Sequence, residues 1–300
     1  MEIGFIGLGL MGRPMAGHLL AAGHALHLWA RRPETLEAWR DRAGVRLHGS
    51  AADVARYADL VFTVVADAPD VEQVTLGARG LAEGARPGLI VIDMSTIAPA
   101  AARDIGRRLE ERGIEFLDAP VSGGETGAID ATLTIMVGGK QTVFERARPL
   151  LECLGQTITH IGPTGAGQVA KACNQILTAM GIAAVAEAFN FARASGVDPA
   201  RVREALLGGF AASRILDAHG QRMLERNFRP GFKAWMHQKD LRIVMAEAQR
   251  LGLTLPGAAA TTQLFNALVG SGGGEEDSIA VLKLLERLSG YSDHGNDPSP

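Results

Sequence analysis

The chain has 300 residues, which is enough for two domains of ordinary size. Its hydrophobic fraction of 47% excludes a disordered protein, which lacks the apolar residues needed to offset chain entropy. With 30 basic against 33 acidic side chains, the net charge of −3 leaves no positive surplus for nucleic acid or an anionic membrane. The two cysteines, Cys153 and Cys173, are too few for a disulfide framework, so we expect a cytoplasmic protein with reduced thiols.

The first half of the sequence alternates short apolar segments with segments of helical spacing. Strands are predicted at 3–6, 25–30, 60–65, 89–93, 114–117, 133–137 and 157–161. Helical patterns occupy 15–22, 34–42 and 99–112 between the first of these strands. Strands that alternate with helices predict an α/β fold with a doubly wound parallel sheet covered on both faces.

The second half is different in composition, and the change falls near Ile161-Gly162-Pro163. Helices are predicted there at 166–194, 199–207, 214–226, 234–250, 256–269 and 278–288. The apolar stretch 176–192 carries Glu187 and Asn190 and is short for a bilayer crossing, so we interpret it as part of a buried helix. We expect a flexible loop at 270–277 and a disordered polar tail at 290–300.

The strongest local motif is Gly7-Leu8-Gly9-Leu10-Met11-Gly12, between the first predicted strand and the first predicted helix. The first glycine permits the turn, the second lets backbone amides approach a pyrophosphate, and the third lets the helix pack on the sheet. The partial positive charge of a helix N-terminus favours the same anion. The motif in this context predicts that residues 1–162 form a Rossmann-type dinucleotide-binding domain.

The end of the second strand bears on which dinucleotide is bound. Sites that prefer NAD commonly place Asp or Glu there, about 20 residues after the glycines, to bind the ribose 2′-hydroxyl. This chain has Ala30-Arg31-Arg32 instead. Position 30 carries no carboxylate that would repel a 2′-phosphate. An arginine can form charge-assisted hydrogen bonds with such a phosphate. We therefore expect NADP in preference to NAD, the alternative being that both arginines belong to a solvated turn.

Two further motifs suggest a site for a small acid. Ser122-Gly123-Gly124 can offer a hydroxyl and consecutive backbone amides to a carboxylate, although a purely structural turn is the simpler interpretation of this motif alone. Downstream, Gly167, Lys171 and Asn174 share one face of a predicted helix. A lysine and an amide beside a glycine could protonate a carbonyl oxygen, whereas most helical lysines are simply solvated. We find no metal-binding motif.

Taken together, these motifs resemble those of the β-hydroxyacid dehydrogenase family over nearly the whole chain. The resembling segments are GFIGLGLMGRPMA at 4–16, DMSTIAP at 93–99, DAPVSGGETGAID at 118–130, GAGQVAKACNQ at 165–175, NFRPGF at 227–232 and HQKDL at 237–241. Within the family the chain looks most like the members that reduce tartronate semialdehyde to D-glycerate. It departs from them at Ala30, where they tend to have Asp, and at Arg214 and Trp235.

The resemblance implies roles for particular residues. Lys171 would be the catalytic lysine, Asn174 would orient the substrate, and Ser122, Gly123 and Gly124 would bind its carboxylate. Thr96 and Lys239 would lie beside the nicotinamide of the cofactor. His237 we interpret as a packing or solvent-facing residue.

The implied activity is hydride transfer between NADP(H), with NAD possible, and a small hydroxy or semialdehyde acid. Tartronate semialdehyde is the first expectation, and 3-hydroxyisobutyrate, succinic semialdehyde and glyoxylate are alternatives. A different class of protein, a catalytically silent scaffold that only binds the cofactor, is the remaining hypothesis. We expect an all-helical domain at 163–289 to bind the substrate and to mediate assembly into a homodimer or homotetramer.

Overall fold

The computed structural model describes residues 1–291, so most of the predicted tail at 290–300 lies outside the described residues. The chain divides into two compact units, the first comprising Met1–Lys171 and the second beginning at Ala172. The division lies inside a long helix, beyond the boundary at residue 162 that composition predicted. The first turn of that helix belongs with the sheet because the backbone N–H groups of Gly165 and Gln168 bind the Asp118 side chain.

The first unit contains nine strands and the helices that connect them. The strands are β1 (Glu2–Ile6), β2 (Ala25–Trp29), β3 (Val45–Leu47), β4 (Leu60–Thr63), β5 (Ile90–Asp93), β6 (Glu115–Asp118), β7 (Val121–Ser122), β8 (Leu133–Gly139) and β9 (Gly155–Gly162). The helices are α1 (Gly12–Ala21), α2 (Ala51–Tyr57), α3 (Ala68–Leu76), α4 (Leu81–Gly84), α5 (Pro99–Glu110), α6 (Gly124–Ile129), α7 (Gln141–Leu151) and the start of α8 (Ala166–Ala194). A 3₁₀ helix occupies Pro33–Trp39, where the sequence predicted an α-helix.

The strands form one sheet in the order β3-β2-β1-β4-β5-β6-β8-β7, with β9 paired to β8. Strands β1 to β6 pair in parallel, which confirms the predicted Rossmann-type fold. The sheet is not wholly parallel, however, because β8 runs antiparallel to β6 and to β7. An apolar run alone does not reveal strand direction, so this reversal was not predictable from the strand pattern.

The register of the sheet places the carboxyl ends of the parallel strands in one row. Ile6 pairs with Trp29 and Thr63, Thr63 pairs with Asp93, and Asp93 pairs with Asp118. Ligands of open α/β sheets bind in the crevice outside this edge. The turns that leave it carry the glycine-rich motif, the arginine pair and Thr96.

The described part of the second unit is helical, as predicted, and an isolated antiparallel bridge joins Lys233 and Asp277. Its helices are the remainder of α8, α9 (Pro199–Leu207), α10 (Gly220–Leu224), α11 (Ala234–Leu251), α12 (Pro256–Gly270) and α13 (Val281–Leu288). The predicted helix at 214–226 is interrupted, since Ile215–His219 forms a π-helical turn before α10. Part of the predicted flexible loop at 270–277 forms a 3₁₀ turn at Gly273–Glu275. Asp277, the last residue of that predicted loop, is only 1% exposed.

Helix α8 is long and apolar enough to pass a length and composition test for a membrane span, a test that core helices of soluble proteins also pass. It packs through Ile182, Ala186 and Phe189 into the core of the second unit. Leu177 and Phe191 are nevertheless 72% and 76% exposed. The helix is therefore only partly buried within one chain, which differs from the buried helix that the sequence suggested.

Candidate active site

The glycine-rich turn between β1 and α1 has the steric character that a dinucleotide requires. Gly7 has φ +98°, and a Cβ there would lie 2.0 Å from the Val64 carbonyl oxygen. At Gly12 a Cβ would lie 1.9 Å from the Gly7 carbonyl oxygen, so both positions demand glycine. A Cβ at Gly9 would meet nothing within 4 Å. The surface over Gly9 is therefore open to a ligand, and this geometry fits a pyrophosphate at the N-terminus of α1.

Side chains on either side of Gly9 leave the turn accessible. Leu8 is 5% exposed and anchors the turn in the core, whereas Leu10 is 63% exposed. Met11 precedes α1, and no side chain caps the backbone N–H groups of this helix. These N–H groups are the ones that would face an anion.

One of the residues that follow β2, Arg31, contacts an acidic side chain that the sequence did not predict. Ala30 is 9% exposed, and Arg32 precedes the 3₁₀ helix with its carbonyl accepting a hydrogen bond from the Thr35 hydroxyl. Arg31 Nη1 lies 2.7 Å from Asp70 Oδ1 in the first turn of α3. The Arg31 side chain is 78% exposed, so its guanidinium can also reach a ligand in solution.

Thr96 lies in the loop after β5, and the backbone on both of its sides is held by Gln168. Gln168 Nε2 donates to the Ser95 carbonyl at 2.8 Å, and the Ile97 N–H donates to Gln168 Oε1 at 3.1 Å. The Ser95 hydroxyl in turn donates to Asp93 Oδ1 at 2.6 Å. This loop, the predicted neighbour of the nicotinamide, is thus a fixed element of the first unit.

The predicted carboxylate-binding segment combines a short strand with a turn. Ser122 ends β7 and pairs with Thr134 of β8. Gly123 and Gly124 have φ values of +137° and +63°, which side chains rarely permit, and Gly123 precedes α6. The turn therefore requires its glycines, and it places the Ser122 hydroxyl next to two successive backbone N–H groups in the chain.

Asp118 anchors the start of α8. Its Oδ1 accepts the Gly165 N–H at 2.6 Å, and its Oδ2 accepts the Gln168 N–H at 2.9 Å. Burial raises the pKa of this carboxyl to about 6, because its desolvation outweighs the stabilisation by these N–H donors, and the charge of Asp93 adds to the rise. A Cβ at Gly167 would lie 2.5 Å from the Asp118 carbonyl oxygen, so glycine is required where the helix meets the sheet.

Lys171 lies on α8, three residues after Gln168, and is only 7% exposed. Most lysines keep their ammonium group in water, so burial of this one is unusual. Asn174 follows three residues later on the same helix and the same face. The helix that the sequence predicted around Lys171 and Asn174 is therefore present.

In the second unit a chain of polar side chains connects two of the predicted residues. Asn174 Nδ2 donates to Gln175 Oε1 at 2.8 Å, and Gln175 Nε2 donates to Asp240 Oδ2 at 2.6 Å. Lys239 Nζ lies 3.2 Å from Asp240 Oδ1. Gln175 and Asp240 are 3% and 2% exposed and were not predicted as site residues, although both lie in the segments that carried the family resemblance.

His237 belongs to the packing of the second unit. Its side chain is fully buried, its Nδ1 lies 3.0 Å from the Ser278 hydroxyl, and its ring contacts Phe232 and Phe265. Among residues 1–291 we find no group of three or more His, Cys, Asp or Glu side chains that could hold a metal ion.

Comparison with known proteins assigns the chain to a family. Residues 2–162 match the family described as the NAD binding domain of 6-phosphogluconate dehydrogenase. Residues 165–285 match the family described as NAD-binding of NADP-dependent 3-hydroxyisobutyrate dehydrogenase. The chain belongs to the β-hydroxyacid dehydrogenase family. It is an NAD(P)-dependent 3-hydroxyacid dehydrogenase, as the resemblance implied.

Three known proteins are similar to this chain along nearly their whole length. The 2-hydroxy-3-oxopropionate reductase of Escherichia coli (strain K12) is 46% identical over 291 residues, which cover 97% of this chain and 99% of the relative. The structure of Mycobacterium tuberculosis 3-hydroxyisobutyrate dehydrogenase with L-serine has a TM-score of 0.87 at 32% identity and covers 95% of this chain and 98% of that one. Psf3 in complex with NADP+ and 2-OPP has a TM-score of 0.84 at 26% identity and covers 94% of this chain and 99% of that one.

Proposed function

We propose that this β-hydroxyacid dehydrogenase reduces tartronate semialdehyde (2-hydroxy-3-oxopropionate) to D-glycerate, with NADPH as the preferred reductant. The observation that carries the proposal is the burial of Lys171 one helical turn from Asn174. The 46% identity to the 2-hydroxy-3-oxopropionate reductase supports the choice of substrate. The alternatives 3-hydroxyisobutyrate, succinic semialdehyde and glyoxylate share the carboxylate and a hydroxyl or carbonyl group.

Residues of this chain would perform the acid–base part of the reaction. When bound, the nicotinamide supplies a hydride to the carbonyl carbon of the substrate. Lys171, as the ammonium, donates its proton to the carbonyl oxygen as negative charge develops there, and regains a proton from solvent. Asn174 orients the substrate, while the Ser122 hydroxyl and the N–H groups of Gly123 and Gly124 bind its carboxylate. In the direction of oxidation neutral Lys171 accepts the hydroxyl proton.

A panel of small semialdehydes and hydroxy acids tests the substrate. The loss or gain of NADPH absorbance would be followed with tartronate semialdehyde, succinic semialdehyde, glyoxylate and 3-hydroxyisobutyrate. We expect the highest kcat/KM with tartronate semialdehyde. A higher value with another member would reassign the substrate, and binding of NADPH without turnover of any member would favour the silent scaffold.

The preference for NADPH rests on the balance of two interactions of Arg31. Its ion pair with Asp70 involves a side chain that is 78% exposed, and such surface pairs contribute about 0–1 kcal/mol. Charge-assisted hydrogen bonds to a 2′-phosphate are worth about 1.5–3 kcal/mol. The guanidinium therefore binds the phosphate in preference to Asp70. The difference between the two free energies corresponds to roughly tenfold in kcat/KM in favour of NADPH.

Three variants test this account of the cofactor. Arg31→Ala should remove most of the NADPH preference and leave activity with NADH nearly unchanged. If Arg32 shares the phosphate, the double variant should lose more than Arg31→Ala alone. Asp70→Asn, which frees Arg31, should raise kcat/KM with NADPH by about twofold to fivefold, the value of a weak surface ion pair. A wild-type preference for NADH, or an Arg31/Arg32 double variant that keeps its NADPH selectivity, would overturn the proposal.

We further propose that the chain assembles into a homodimer or homotetramer through the exposed face of α8. Leu177, Met180 and Phe191 are 72%, 37% and 76% exposed, and their spacing places them along one face of the helix. Large exposed apolar stretches usually mark interaction surfaces. Light scattering during gel filtration should give a multiple of 31.6 kDa for the wild type and a smaller assembly for Leu177→Glu. The control is Leu251→Glu, at a side chain that is 51% exposed on α11; a monomeric wild type would contradict the proposal.

A further inference from the structure

The Gln168 side chain is a buried amide. Its nitrogen and its oxygen both form hydrogen bonds to the backbone on either side of Thr96. The residue is 1% exposed, its Nε2 donates to the Ser95 carbonyl at 2.8 Å, and its Oε1 accepts the Ile97 N–H at 3.1 Å. A neutral carboxamide offers a donor and an acceptor at once, whereas an ionised carboxylate only accepts and a thioether makes neither bond well. The contact is therefore specific for the chemistry of this side chain.

The backbone of Gln168 is fixed as well. Its N–H donates to Asp118 Oδ2 at 2.9 Å, beside the Gly165 N–H on the other oxygen of that carboxylate. A Cβ on the preceding residue, Gly167, would lie 2.4 Å from the Met136 carbonyl oxygen. The first turn of α8 thus packs directly on the backbone of the sheet and has little room to shift.

The loop that Gln168 holds is also tied to the sheet. Asp93 Oδ1 accepts hydrogen bonds from the hydroxyl groups of Ser95 and Thr63, at 2.6 and 2.8 Å. The Ser95 hydroxyl oxygen accepts the Val65 N–H at 2.9 Å. A continuous series of hydrogen bonds therefore runs from the ends of β4 and β5, through this loop, to the start of α8.

Lys171 lies three residues beyond Gln168 on the same helix. We propose that Gln168 is a positioning residue, which fixes the helix of Lys171 relative to the loop of Thr96 and so aligns proton donor and nicotinamide. This inference rests on the proposed roles of Lys171 and Thr96. Hydride and proton transfer depend steeply on alignment, and a displacement of about 1 Å can cost about 100-fold in rate.

The test uses Gln168→Met, which keeps the length of the side chain and removes both hydrogen bonds. We expect kcat to fall by about 10- to 100-fold, KM for the substrate to change less than about threefold, and the deuterium isotope effect from C4-labelled NADPH to increase. The control is Thr75→Val, which removes the buried hydrogen bond from the Thr75 hydroxyl to the Val71 carbonyl within α3. It should melt at a lower temperature and keep a wild-type kcat.

A second variant, Gln168→Glu, distinguishes positioning from a general loss of stability. A protonated carboxyl group has a donor and an acceptor, as the amide does. The ionised form would place a negative charge against the Ser95 carbonyl oxygen, which repels it. Relative to wild type, the kcat of Gln168→Glu should therefore rise severalfold as the pH is lowered from 8 to 6, while that of Gln168→Met stays constant. The pH profile of Gln168→Glu relative to the wild type decides the question even if Gln168→Met fails to fold.

The possible results separate the two proposals. Loss of activity in Lys171→Ala together with wild-type kcat in Gln168→Met, or with a flat relative pH profile in Gln168→Glu, would overturn only the positioning role. An equal loss of kcat in Thr75→Val would also overturn it. Retained activity in Lys171→Ala would instead remove the proposed function on which the inference rests.

Discussion

Asp118 provides the most direct physical prediction about stability. Its pKa is raised from 3.8 to about 6, mainly by burial, although two backbone N–H groups bind the carboxylate. Because the folded pKa lies above the unfolded value, the native protein binds more protons than the unfolded chain between these two pH values. The contribution of this group to the free energy of unfolding is therefore greatest below about pH 4 and declines as the pH rises toward 6. At about 1.4 kcal/mol for each pKa unit, the decline amounts to about 3 kcal/mol.

Comparison of the wild type with Asp118→Asn isolates this effect. The variant cannot titrate at this position. Its amide nitrogen cannot accept the N–H of Gly165 or Gln168, whereas the hydroxyl oxygen of the protonated wild-type carboxyl can. Near pH 4 it should therefore be less stable than the wild type by about 1–3 kcal/mol. By pH 7 this difference in the free energy of unfolding should shrink or reverse, because the wild type then carries a buried ionised carboxylate that lowers its stability.

Chemical denaturation followed by tryptophan fluorescence at several pH values between 4 and 8 would measure both free energies of unfolding. The wild-type value minus the variant value should fall by about 2–3 kcal/mol from pH 4 to pH 7 and then level. A difference that stayed constant, or that grew with pH, would mean that the N–H donors balance or outweigh burial and that the pKa of Asp118 is not raised.

Two other predictions concern the glycine-rich turn and the substrate carboxylate. Gly12→Ala should lower the melting temperature, because the new Cβ would collide with the Gly7 carbonyl oxygen, whereas Gly9→Ala has room for its Cβ and should melt like the wild type. Fluorescence titration with NADPH should nevertheless show weaker binding for Gly9→Ala, and unchanged affinity would place the pyrophosphate elsewhere. Ser122→Ala should mainly raise KM for carboxylate substrates in steady-state assays, and an unchanged KM would move the anion site to other residues.

The fold was largely predictable from local patterns because its main elements are long or strongly punctuated. The turn at Gly7 to Gly12 and the helical second half follow from glycine placement and from apolar spacing. The strand β3 has three residues and β7 has two, which is too short for a periodic signal. The direction of β8 depends on which strands it pairs with, and an apolar run carries no such information.

The polar contacts around the candidate site could not be predicted for a related reason. Asp118 binds backbone groups 47 and 50 residues away, and Gln168 bonds to carbonyl and N–H groups more than 70 residues away. Arg31 meets Asp70 across 39 residues. Motifs indicate which residues share a helix face or a turn, but only the register of the sheet brings these distant partners together.

Lys171 is the proposed proton donor of this dehydrogenase, and its replacement by alanine tests that role. Steady-state kcat for the reduction of tartronate semialdehyde by NADPH would be compared between wild type and Lys171→Ala, with the Kd for NADPH determined on the same preparations. Loss of a general acid should lower kcat by about 10²- to 10⁴-fold while the Kd changes less than about twofold. A variant that turns over within a few-fold of the wild type would contradict the account.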